Sequence, residues 1–137
     1  MKTIKMSKNE AAALYNGLVE TKNLKSKRFA LNAAKNMKII KDALQDIEDL
    51  GKPSEEFLKL SVQVQKIIKE DPENGKEKIE ELEKDNVELV EKRKSQMELV
   101  HSRLLEDVEL ELNVFSEEVL PEEITSDQVN NLIKIIE

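Results

Sequence analysis

Cysteine and tryptophan are absent from this chain of 137 residues, histidine occurs once, and glycine and proline occur three times each. Without cysteine there is no disulfide framework and no thiolate metal site, which argues against a small secreted scaffold. The lone histidine, His101, restricts catalysis. A Ser-His-Asp arrangement would have to use it, yet it stands deep in a long charged helical pattern with no strained nucleophile turn. Gly17, Gly51 and Gly75 are isolated, so no glycine-rich loop is present to cradle a phosphate. Tyr15, Phe29, Phe57 and Phe115 are the only aromatics, too few to fill a thick globular centre. No run of about 18 apolar residues exists, so no membrane segment is expected. Met1 to Asn9 is polar and lacks the apolar stretch of a signal peptide, so a cytoplasmic location is expected.

What the chain has instead is charge. Charged residues make up 37% of it and hydrophobic ones 39%, a balance that suits long helices with narrow buried stripes. The length fits one domain, 1–137. The net charge of -7 is unevenly spread. Residues 1 to 41 hold nine Lys and one Arg against Glu10 and Glu20, a surplus of +8; the remaining 12 basic and 27 acidic residues give -15. Such a split either marks a face for a polyanion or lets the basic segment lie along the acidic one within the fold. The second alternative is expected, because helices in one bundle are juxtaposed.

The order of elements can be read along the chain. Thr3–Met6 suits a short strand, and Ser7 with Glu10 has the spacing of a capping box for a helix to about Val19, weakened near its end by Gly17. Ser26 is placed to cap a helix from Lys27 to Leu50 that stops at Gly51. Its seam is Ala33, Met37, Ile40, Leu44 and Ile47. Pro53 and Ser54 open a third helix to about Glu70, with Phe57, Leu60, Val64 and Ile67 inward. Asp71-Pro72-Glu73-Asn74-Gly75 is a turn. From Lys76 to about Glu106 the pattern predicts one nearly continuous helix, its seam interrupted at Asn86 and Arg93. Val108, Leu110, Leu112 and Val114 then alternate with polar residues, the period of a half-buried strand over about 108–115. Its expected partner is Thr3–Met6 or a sheet edge on another molecule. Thr125 and Gln128 repeat the capping-box spacing before a last helix carrying Val129, Leu132, Ile133 and Ile136. The expected fold is therefore mainly α, an elongated bundle or hairpin of long charged helices with a small two-stranded β element.

The chemical constellations are sparse. Glu98-Leu99-Val100-His101 matches the Glu-x-x-His element of di-iron helical bundles, but those sites need two such elements and this chain has one. Asp71, Glu73 and Gly75 depart from a calcium loop in the place of the glycine and in the downstream ligands. No catalytic residue, metal ligand or cofactor is expected, and the chain reads as a non-enzyme. The remaining candidate is the basic stretch Lys22, Lys25, Lys27 and Arg28, continued by Lys35, Lys38 and Lys41. Such a stripe can follow a nucleic-acid backbone. Base-stacking aromatics are nearly absent, however, and the net charge opposes a polyanion, so a protein partner is the first expectation and nucleic acid the alternative.

Lys25-Ser26-Lys27-Arg28-Phe29, the long charged helices, the acidic apolar segment Glu109 to Leu120 and the short closing helix together resemble an uncharacterised family of small proteins encoded by tailed bacteriophages. The resemblance implies a phage origin and a virion or assembly component, or a binder of a host factor. It implies no activity and assigns no residue a role. The expected partner is a protein, either a second copy of the chain or a host or virion protein.

Overall fold

A computed structural model describes the whole chain, Met1–Glu137. Helices hold 67% of the residues and the only sheet has two strands, so the fold is mainly α with a small β element. The elements in order are β1 (Lys2–Ser7), α1 (Lys8–Val19), α2 (Lys27–Ala43), α3 (Gln45–Leu50), α4 (Glu55–Glu70), α5 (Gly75–Asp85), α6 (Val87–Leu104), β2 (Asp107–Leu112) and α7 (Ser126–Asn131). Short 3-10 turns follow at Glu117–Val119 and Ile133–Ile135. The chain packs as two compact units, Met1–Ile47 with Ser102–Glu137, and Glu48–His101.

The first unit is built on the strand pair. β1 and β2 run antiparallel, with Ile4 opposite Leu110 and Met6 opposite Val108, so the expected partner of the alternating segment is the N-terminal strand. The period-two pattern turns Met6, Leu110 and Leu112 inward. Ala11, Leu14 and Leu18 of α1, Phe29, Ala33 and Ile40 of α2, and Phe115, Leu132 and Ile135 complete the core. The rings of Phe29 and Phe115 lie 4.7 Å apart between centroids.

Polar side chains fix the ends of these elements. The two capping boxes form: Glu10 N–H donates to Ser7 Oγ and Ser7 N–H to Glu10 Oε1, and Thr125 and Gln128 do the same. Asn36, fully buried on the core face of α2, takes the place of a third strand. Its Nδ2 donates to Asn113 O at 2.9 Å and its Oδ1 accepts from Asn113 N at 2.8 Å. The backbone just past β2 is thereby satisfied by a helix side chain, as a buried peptide group requires. Beyond it, Phe115 N donates to Ile135 O and Glu137 N to Phe115 O, closing a parallel bridge.

Gly17 does more than weaken α1. A Cβ there would stand 3.1 Å from Asn131 Cβ and 3.3 Å from Leu132 Cδ2, so its bareness lets α7 approach α1. The closing helix itself is shorter than its apolar spacing predicts. After Asn131 the chain tightens into a 3-10 turn and then extends to bridge Phe115, which buries Ile135 and leaves Ile133 exposed.

Two long helices of the sequence reading are broken. The first stops at Ala43 and resumes at Gln45, because Leu44 leaves the helical region at φ -102°, ψ 3°, its N–H shared between Ile40 O and Lys41 O. The second, expected as one nearly continuous helix from Lys76 to about Glu106, divides at Asn86 into α5 and α6. There the side-chain Nδ2 donates to Leu82 O at 2.9 Å while the backbone N–H turns to Glu83 O. An asparagine side chain competing for a helical carbonyl is the physical cause.

The second unit, Glu48–His101, is held differently. Ser54 caps α4 by accepting from Phe57 N, and in the turn before α5 Asn74 N donates to Asp71 Oδ1, three residues back. The end of α3 is satisfied by α6. Gln96 Nε2 donates to Leu50 O at 2.6 Å and Lys52 O at 2.7 Å, and Arg93 Nη1 donates to Gly51 O at 2.8 Å. The Arg93 guanidinium also sits 5.4 Å from the Phe57 ring centre. Arg93 interrupts the apolar seam, therefore, in order to close a helix end whose carbonyls would otherwise lack partners.

Candidate interaction surface

The basic residues singled out in the sequence lie together. Lys22 and Lys25 occupy the turn between α1 and α2, and Lys27, Arg28, Lys35, Lys38 and Lys41 lie on α2; all seven are exposed. Their placement follows from the opposite face. Ser26 Oγ accepts from Phe29 N and donates to Val119 O, and Phe29 is locked against Phe115. With Phe29, Ala33, Asn36 and Ile40 facing the core, the rotation of an α-helix, about 100° per residue, gathers the five cations of α2 within an arc of roughly 140° on the solvent side. Leu31 stands in the middle of that arc and is 57% exposed. Asp42, near the C-terminal end of the helix, falls within the same arc and is the one acid of α2.

The expected internal neutralisation does not take the form of ion pairs on the α2 face. The ion pairs join Lys5 to Asp107, Lys8 to Glu106, Lys52 to Asp49, Lys66 to Glu70, Lys78 to Asp71 and Lys134 to Glu10. None involves the cations of the α2 face. The ion pairs of the first unit lie elsewhere, at the sheet end and at the start of α1, where Lys134 Nζ reaches Glu10 Oε2 at 2.7 Å. Lys134 and the Ser7 backbone and hydroxyl hold the Glu10 carboxyl down at about 2, well below its ordinary value of 4.5. At the first turn of α2 there is no acid at all. Lys27 and Arg28 thus add their charge to the positive end of the helix dipole, and the outward field of the face is strengthened.

The other candidates stay apart. Glu98 and His101 are both exposed on α6, and no group of three or more His, Asp or Glu side chains is placed to hold a metal ion. No helix is long and apolar enough to cross a membrane. In Glu48–His101 a cleft of about 300 Å³ lies among Leu50, Phe57, Leu89 and the Arg93–Gln96 clasp. Its Arg93 and Gln96 side chains are already engaged in closing the end of α3.

One surface was not anticipated from the sequence. Leu58 and Val62 of α4 are 48% and 66% exposed on the side away from Phe57, Leu60, Val64 and Ile67. The signal was present as a second three-and-four spacing, hidden behind the stronger one that forms the seam. No protein-family model, no curated protein and no solved structure matches the chain.

Proposed function

We propose that the protein is a non-enzymatic interaction protein whose α2 face binds the acidic surface of a protein partner. The observation that carries this reading is the row of exposed cations, Lys22, Lys25, Lys27, Arg28, Lys35 and Lys38, without an ion pair inside the fold. Unneutralised charge of one sign steers an oppositely charged surface into contact and sets its register. A protein is favoured over nucleic acid by Leu31, which offers an apolar contact at the centre of the face that a phosphate backbone does not use. No exposed aromatic accompanies it for stacking on bases. The resemblance to phage-encoded proteins supports a virion or assembly part, or a factor that engages a host protein in the cytoplasm of an infected cell.

The test is a charge reversal, Lys27→Glu, Arg28→Glu, Lys35→Glu and Lys38→Glu in one chain, compared with the wild type. Wild-type protein should retain a protein partner from nuclease-treated extracts of infected cells, and the reversed chain should lose it. Single Lys→Ala changes on this face should leave stability within about 0.5 kcal/mol of wild type. Micromolar binding to duplex DNA or RNA at physiological salt, with the salt slope falling by about one unit for each cation removed, would give the face to nucleic acid instead.

A further inference from the structure

Helix α4 has two faces, and the outer one has the form of a half-interface. Glu55, Leu58, Val62, Gln65 and Lys69 follow one another at spacings of three, four, three and four. At about 100° per residue they fall within roughly 80° of the helix circumference, opposite Phe57, Leu60, Val64 and Ile67. All five are exposed, and Val62, at the centre, is the most exposed large apolar side chain of α4 at 66%. Neither Glu55 nor Lys69 takes part in an ion pair, and Lys66 reaches only Glu70, one turn along the same helix, at 4.0 Å.

The stripe is acidic at its start, apolar in its middle and basic at its end. That pattern complements itself only when reversed. A second α4 laid antiparallel about a two-fold axis through Val62 sets Glu55 against Lys69 of the second copy and Lys69 against its Glu55. Val62 meets Val62, and Leu58 is covered by the aliphatic stem of Lys66. A parallel arrangement would place Glu55 beside Glu55 and Lys69 beside Lys69, which like-charge repulsion disfavours. We infer that α4 is a self-association surface, and that its occupant is a second copy of this chain paired antiparallel about Val62. The inference rests on α4 alone and is independent of the reading of the α2 face. One helix pair with two large apolar side chains from each copy is a small interface, so the dimer forms reversibly and with concentration.

The full chain tests this by sedimentation velocity over a concentration series, together with a crosslinking experiment that the absence of cysteine makes clean. The wild type should shift from monomer to dimer as concentration rises. Val62→Glu should abolish the shift while the far-ultraviolet circular dichroism stays unchanged. Glu55→Lys and Lys69→Glu should each weaken association several-fold, and the double swap, which exchanges the signs of both pairs, should restore it. Val62→Cys should crosslink under mild oxidation at least tenfold faster than Gln63→Cys, which lies outside the stripe on the same helix. A wild type that remains monomeric throughout overturns the inference. So does a double swap as impaired as the single changes, or equal crosslinking at the two positions.

Discussion

The two compact units of this protein solve the problem of staying folded in different ways. Met1–Ile47 with Ser102–Glu137 fully buries Phe29, Phe115, Leu18, Ile40, Leu112, Leu132 and Ile135. In Glu48–His101 the buried apolar side chains are Leu60 and Val100, while Phe57, Val64, Ile67, Ile79 and Leu82 stay half-buried. The difference follows from the path of the chain. β1 pairs with β2 across roughly a hundred intervening residues, so the first unit must offset a long loop closure with dense packing. The second is a contiguous run of helices, whose backbone hydrogen bonds and turns are local and require less burial. The end of α3 is closed there by Arg93 and Gln96, where packing is thin.

The contrast predicts where a truncation hurts. Phe115→Ala removes a fully buried ring that touches Phe29, and should lower stability by about 3–5 kcal/mol. Leu60→Ala in the open seam should cost about 2 kcal/mol, at the low end for a buried leucine, because neighbours can close around the space. Urea denaturation with peptide-resolved hydrogen exchange measures both, and equal costs would remove the distinction between the units.

A smaller effect sharpens the account of the first unit. Asn36→Ala leaves the half-buried Asn113 N–H and C=O without their protein partner, which should cost about 1–3 kcal/mol. Asn36→Leu fills the same space without bonding and should be no better. A leucine variant as stable as wild type would show that packing holds this corner, and the amide does not.

The smallest effect is an exposed one and is visible only against pH. Because the Glu10 carboxyl is held down at about 2 in the folded chain, against 4.5 in the absence of Lys134 and Ser7, the unfolded state binds its proton first. The stabilisation is fully present above pH 4.5 and is lost as pH falls towards 2. Glu10→Gln should therefore lower the urea midpoint at neutral pH and match wild type near pH 2. Parallel acid profiles for the two proteins would dissociate the capping box and the Lys134 contact from stability.

Much of this is legible in the sequence. Four helix starts were written as Ser7, Ser26, Ser54 and Thr125, since a hydroxyl acceptor can satisfy free N–H groups with no help from distant residues. The strand at Val108 was legible because period two sorts side chains to opposite faces whatever lies beyond them. The inward stripe Ala33, Met37, Ile40, Leu44 and Ile47 was legible for the same reason with a helical period, and the stripe left the cations of α2 nowhere to go but outward.

What depended on distant neighbours was not legible. Composition located the cations, but whether acids met them was decided by tertiary structure, in which the ion pairs of the first unit form at Lys5, Lys8 and Lys134. Asn86 and Arg93 looked alike as polar breaks in one seam, yet one breaks the helix by bonding backward along it and the other reaches across to Gly51. Gly17 looked like a weak helix end and is where α7 approaches. Local hydrogen bonding and periodicity are short-range and are therefore written in adjacent residues. The partner of a charge, of an orphan carbonyl or of a bare glycine is selected only once segments far apart in the chain have met.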